Sequence, residues 1–191
     1  MNKYNETWKK LHIDGYFKNH RLYNSFEPIR PHTMNELDIK DKFVLDLGCG
    51  FGRHMHWMCQ HAAFVYGIDV DNIILNQTKE YLKLFNNFGL ETVETYKNNI
   101  NIKFDYIFSR YVFQHISKDQ TKEYINWIYD NLNIGGTIDL QFRIGDKLGF
   151  IDGIEPRTEH SIEEVSTLLS RFKIIYKELK NKDNLYIVGT K

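Results

Sequence analysis

"KFVLDLGCGFGRHMHWM", residues 42–58, sets a short apolar run, Phe43 to Leu47, directly before three glycines spaced two apart, Gly48, Gly50 and Gly52. A stretch with helical patterning, 52–61, follows at once. A strand that ends in a glycine bend and enters a helix lets backbone groups approach a ligand with no Cβ in the way. Nicotinamide-type sites place their third glycine three residues after the second, which allows close helix-to-strand packing beside the pyrophosphate. Here that position is Arg53, a long cation, and the third glycine comes one residue early. The phosphate-loop pattern fails as well, because no Gly-Lys-Ser/Thr follows.

Outward from this bend, apolar runs alternate with helical patterns. "FVYGIDV", 64–70, reads as a buried strand, and 71–88 as a helix that Gly89 is placed to stop. "ETVETY", 91–96, is a weaker strand and "FDYIFS", 104–109, a clear one. Ser117 with Gln120 forms a capping box for a helix over 118–132, which "NIGG" ends. "TIDLQFRI" follows as a strand, and Ser161 with Glu164 caps a helix reaching about Ser170. Two last runs, "FKIIYKEL" and "NLYIVGT", are joined by the turn-forming "KNKDN", which suits an antiparallel pair. The alternation predicts an α/β fold: a parallel sheet with helices on both faces, finished by an antiparallel hairpin. Ligands of such sheets sit outside the carboxyl ends of the strands.

Composition narrows the function. The 191 residues carry 25 basic and 25 acidic side chains, so no global field favours nucleic acid or an anionic membrane. No apolar run approaches the ~20 residues that span a bilayer, and the start lacks the order of a signal peptide. A cytoplasmic protein with two reduced cysteines, Cys49 and Cys59, is expected. Residues 1–37 form a polar, aromatic-rich leader, read as a helical cap over the active site, and 38–191 form the catalytic domain.

The bend, "VLDLGCGFG", resembles the first motif of the class I S-adenosylmethionine-dependent methyltransferases. "YGIDV", "FDYIFSRYVFQHI" and "LNIGGTIDLQF" resemble further motifs of that family, in its order, and the resemblance covers roughly residues 38–190. It implies a Rossmann-like, seven-stranded and mostly parallel sheet, S-adenosyl-L-methionine as cofactor and S-adenosyl-L-homocysteine as product. It assigns cofactor binding to Asp46, Gly48, Cys49, Gly50, Gly52, Asp69, Val70, Asn98 and Ser109. Asp69 closes the second strand about 20 residues past the bend, where a carboxylate can accept from two ribose hydroxyls. Asp46 favours the ammonium of the methionine part, and the adenine lies against Val70. The acid that usually meets the adenine amine is missing, and Asn98 or Asn99 stands in its place. Ile134 replaces a frequent proline.

The same resemblance sets the loop "SRYVFQHIS" beneath the reacting methyl. His115 is then a candidate base or a brace of that loop, with Tyr111 and Gln114 placed to orient the acceptor. Arg143 is the first candidate contact for an anionic or hydroxyl-rich acceptor and Arg157 the second. Leader residues Tyr4, Trp8, His12, Tyr16, Phe17, His20, Arg21 and Tyr23, with a lid over "RIGDKLGFIDGIEPRTEH", are expected to close the pocket. "HMHWMCQH" gives no metal site, since residues two apart on a helix diverge and His54 and His61 stand two turns apart. "Ser109-Arg110-Tyr111" lacks the Pro-Pro-aromatic signature of base methylation. The expected acceptor is a small polar metabolite or sugar, methylated on oxygen rather than nitrogen, with no nucleic-acid or membrane partner. A protein methyltransferase and a non-catalytic cofactor-binding protein are the rival readings.

Overall fold

The structure, a computed structural model, describes residues 6–7, 9–11, 27–99, 102–151 and 155–191. It divides into two compact units, Met1–Asn101 and Ile102–Lys191. The first unit contains α1 (Glu36–Ile39), β1 (Phe43–Leu47), α2 (Arg53–Cys59), β2 (Phe64–Asp69), α3 (Asn72–Tyr81), β3 (Phe88–Thr92) and α4 (Val93–Asn99). β1 runs parallel to β2, pairing Val44 with Val65, and β2 runs parallel to β3. Val44, Leu45, Leu47, Val65 and Ile68 are buried, the continuous apolar run expected of strands covered on both faces. Gly67 in β2 admits the thioether of Met55 from α2: a Cβ there would collide with Met55 and come within 2.8 Å of Leu90.

The 71–88 helix is shorter than its periodicity predicts, since α3 closes at Tyr81 with Leu82 as its cap. Gly89 stops no helix. It lies inside β3 opposite Tyr66, where a Cβ would come within 2.9 Å of the phenol ring. The strand expected over 91–96 accordingly sits three residues earlier, and α4 occupies most of its span.

The second unit contains β4 (Phe104–Ser109), α5 (Lys118–Asn131), β5 (Leu132–Arg143), β6 (Leu148–Ile151), β7 (Glu155–Thr158), α6 (Ile162–Leu168), β8 (Lys173–Lys180) and β9 (Asn184–Thr190). Both predicted capping boxes are present, at Ser117 with Gln120 and at Ser161 with Glu164. β4 pairs parallel with β5, while β9 runs antiparallel to both β5 and β8. The β8–β9 turn places Asn181 and Lys182 at φ 51° and 68°, matching the left-handed pair of a tight hairpin. The "NIGG" segment belongs to β5: pairing jumps from Phe104–Leu132 to Tyr106–Thr137, and the glycines absorb the extra length. Lys191 Nζ donates to the carbonyls of Tyr129 (2.6 Å) and Leu132 (2.9 Å), satisfying groups that α5 leaves open at its end.

The seven strands hydrogen-bond in the order β3-β2-β1-β4-β5-β9-β8, mostly parallel, and β6 and β7 make a separate antiparallel hairpin. That hairpin lies within the segment expected to be an irregular lid. Among the described residues no helix is long and apolar enough to cross a membrane.

Candidate functional site

In the first unit the bend is built by backbone conformation. Gly48, Gly50 and Gly52 all have positive φ, at 78°, 51° and 74°. The amides of Gly48 and Cys49 both donate to the carbonyl of Ile68, at 2.7 and 3.0 Å, which ties the bend to the end of β2. The glycines differ in purpose. A Cβ on Gly52 would come within 2.6 Å of Thr78 Cγ2 on α3, whereas a Cβ on Gly50 would meet open space. Gly52 therefore lets α3 pack, and Gly50 leaves a bare surface. Thr78 also donates its hydroxyl to the Gly50 carbonyl at 2.5 Å.

Asp69 faces this surface from the end of β2. Its Oδ2 accepts from the Gly50 amide at 2.9 Å and its Oδ1 from the Val70 amide at 2.7 Å. These two amides fix the orientation of the carboxylate. Asp71, two residues on, caps α3 through the Ile73 amide, leaving Asp69 out of that task. Asp46 is buried in β1. Burial, with Asp69 and Asp46 nearby, holds the Cys49 thiol well above its ordinary range, and burial pushes Cys59 to about 12. Both are free thiols. Asn98 lies in α4.

The histidines of α2 have structural partners. His54 Nδ1 pairs with the Ile29 carbonyl at 3.0 Å, His56 lies tilted against Tyr81 and edge-on to Phe85, and His61, just past the end of α2, lies against Trp57. Among the described residues no group of three or more His, Cys, Asp or Glu is placed to hold a metal. The leader aromatics Tyr4, Trp8, Tyr16, Phe17 and Tyr23, with His12, His20 and Arg21, lie outside the described residues.

In the second unit the loop after β4 is held at defined points. Ser109 is buried at the strand end. Tyr111 has φ 60°, a left-handed conformation that a non-glycine residue adopts only when its surroundings impose it. The imposing group is Gln141, whose Oε1 accepts the Tyr111 amide at 2.9 Å. Gln141 Nε2 donates to Asn184 Oδ1 (2.6 Å), Asn184 donates to Asp183 Oδ1 (2.7 Å), and Asp183 pairs with Arg143. Tyr111 and Arg143, proposed separately from sequence, are thus the two ends of one polar chain. Arg157 is paired with Glu159 at 2.5 Å.

His115 Nε2 lies 2.8 Å from Gln114 Nε2, so the amide donates and this ring nitrogen accepts. Gln114 Oε1 is buried without a partner. Half a turn of the amide exchanges the two groups, so one contact accommodates either protonation state of His115.

Sequence reasoning passed over Arg110. It is buried with Asp139, Nη2 to Oδ1 at 2.5 Å, and its guanidinium lies over the rings of Phe108 and Tyr186. Tyr106 donates to the other Asp139 oxygen at 3.2 Å. Its sequence neighbours, Ser109 and Tyr111, gave no sign that this cation turns inward. Thr158 and His160, also overlooked, are buried as well.

Comparison with known proteins agrees with this architecture. A family model described as a methyltransferase domain matches residues 44–136. A tRNA U34 carboxymethyltransferase from Mannheimia succiniciproducens is 27% identical over 152 residues, 73% of this chain and 44% of that protein. The chain therefore spans less than half the length of this relative. Among solved structures, a 1,6-didemethyltoxoflavin-N1-methyltransferase from Burkholderia thailandensis, bound to 1,6-didemethyltoxoflavin and S-adenosylhomocysteine, superposes with a TM-score of 0.77. It is 16% identical, covering 99% of this chain and 89% of that one. TehB from Haemophilus influenzae gives 0.67 at 16% identity, covering 93% and 66%.

Proposed function

We propose that the chain is a class I S-adenosylmethionine-dependent methyltransferase, in keeping with the methyltransferase-domain model that matches residues 44–136, and that it methylates a small polar metabolite or sugar, on oxygen in preference to nitrogen. The observation that carries the cofactor half is the pairing of a bare, left-handed Gly50 with a carboxylate fixed beside it. These residues fit S-adenosylmethionine: Asp69 accepts from the ribose hydroxyls, the bend gives the methionine part close access to backbone, and buried Asp46 offsets its ammonium. Val70 lies against the adenine and Asn98 meets its amine. Gly48, Cys49, Gly52 and Ser109 complete the binding set. When bound, the cofactor supplies a sulfonium-activated methyl whose thioether leaving group needs no acid.

What the chain itself must do is orient the acceptor and remove its proton. His115 takes that proton at Nε2, where the acceptor hydroxyl replaces the Gln114 amide as the donor to the ring nitrogen. Tyr111 orients the acceptor, and Arg143 contacts its hydroxyl or anionic groups. Titration calorimetry with S-adenosylhomocysteine is the first test. Binding to the native protein, weakened about tenfold or more in Asp69→Asn, is expected, since a charge-assisted hydrogen bond is worth ~1.5–3 kcal/mol. No heat with folded native protein refutes the reading.

The carboxymethyltransferase relatives favour a second reading, transfer to tRNA. A balanced net charge argues against it, because phosphate contacts dominate nucleic-acid affinity. A mobility shift with unmodified tRNA at low salt separates the two.

A further inference from the structure

We propose that His160 is a positioning residue for the loop that carries Tyr111, Gln114 and His115. The inference deepens the proposed function, because it concerns how that loop is aimed. Residues 157–160 alternate in direction, as extended chain does. Arg157 and Glu159 turn one way, into their ion pair and the Lys147 amide, which donates to Glu159 Oε2 at 3.1 Å. Thr158 and His160 turn the other way and are almost wholly buried, at 0% and 1% exposure.

That inward face grips two consecutive carbonyls of the loop. The Thr158 amide donates to the Gln114 carbonyl at 2.7 Å. The His160 ring is hydrogen-bonded to the backbone of Phe113. Its ring stands edge-on to Phe142, which is itself stacked on Phe113 at 4.8 Å, so loop, strand and imidazole form one packed column. On its other side the same segment is tied to the end of β5: the His160 amide donates to the Arg143 carbonyl at 2.8 Å, and the Gly145 amide donates to the His160 carbonyl at 3.1 Å. The splint therefore joins the loop after β4 to the loop after β5, the two places that supply His115 and Arg143.

The protonation state follows from burial. His160 Nε2 is buried without a partner, so the proton must sit on the other nitrogen, Nδ1, where the Phe113 carbonyl receives it. A second proton would place an unmatched charge among aromatic rings. Burial accordingly lowers the affinity of this ring for protons; the Phe113 carbonyl and Glu164 oppose that effect, and Lys118 adds to it.

The test uses the full chain and three readouts. In ¹⁵N spectra of the native protein, His160 is expected as the neutral Nδ1–H tautomer at pH 7; a proton on Nε2 overturns the proposal, and this readout needs no variant. Hydrogen exchange at the Tyr111, His115 and Thr158 amides is expected to quicken about tenfold in His160→Phe, the scale of one net hydrogen bond, while Asn, whose amide reaches the Nδ1 position, restores protection. Unchanged exchange in His160→Phe, or failure of Asn to restore it where Phe folds, overturns the proposal. If Phe does not fold, native-like protection in His160→Asn supports it and lost protection overturns it. Affinity for S-adenosylhomocysteine is expected to stay within twofold in the folded variants. Loss of that affinity in the native protein would remove the methyltransferase reading while leaving the splint measurable.

Discussion

Alanine at Gly50 and alanine at Gly52 are expected to fail in opposite ways. Both glycines hold left-handed backbone, at φ 51° and 74°, so either substitution costs ~1–2 kcal/mol of conformational strain. At Gly50 that is the whole penalty for folding, because the added methyl meets nothing within 4 Å. At Gly52 the methyl arrives 2.6 Å from Thr78 Cγ2. Thr78 must then shift and weaken its bond to the Gly50 carbonyl, worth ~1 kcal/mol, with ~1–3 kcal/mol more for overpacking. Gly52→Ala should therefore lose ~3–6 kcal/mol against ~1–2 for Gly50→Ala. Urea unfolding measures both, and in a chain of this size each kcal/mol corresponds to about 2–4 °C in Tm. Binding should rank the other way per unit of lost stability. The Gly50 methyl stands where the cofactor would approach, and a clash of ~1–3 kcal/mol lowers affinity about fivefold to 150-fold. Equal stability losses would refute the packing role of Gly52. Native affinity for S-adenosylhomocysteine in folded Gly50→Ala would refute the placement of the cradle.

Three further outcomes follow from the second unit. Arg110→Met removes the cation buried against Asp139 and should cost ~3–5 kcal/mol by chemical denaturation, the range for breaking a buried pair. Lys191→Met should cost ~1–2 kcal/mol, since the carbonyls of Tyr129 and Leu132 lose a charged donor, and a Tm equal to the native value would contradict that. His160 binds protons more weakly folded than unfolded, so its contribution to stability is complete above the ordinary histidine range, near pH 6.5, and is lost as pH falls through the folded value. The melting temperature should thus fall more steeply between about pH 7 and pH 5 in the native chain than in His160→Asn.

What the sequence disclosed was local, and what it hid was long-range. The 104–109 and 184–190 strands and both capping boxes stand where pattern placed them, because alternation and Ser-x-x-Glu/Gln spacing act within a few residues. Gly89 was misread because its reason for being glycine is the ring of Tyr66, more than twenty positions away. The lid segment concealed a hairpin, since glycine-rich "LGFIDGI" reads as irregular chain. "RTEH" did carry a usable sign: charged residues alternate with a threonine and a histidine, the period of a strand with one inward face. Of the candidate site, the glycine bend and the position of Asp69 at the end of β2 were legible through motif spacing. The chain linking Tyr111 to Arg143 through Gln141, Asn184 and Asp183 was not, because its links come from strands far apart in order.

The contact between Gly67 and Met55 restricts the routes by which this protein can change. Neither position is free to vary alone: any side chain at 67 collides with the thioether, and shortening 55 first leaves a void in the interior. A lineage that gains alanine at 67 must therefore redirect or shorten the Met55 side chain, so the two positions are coupled by sterics.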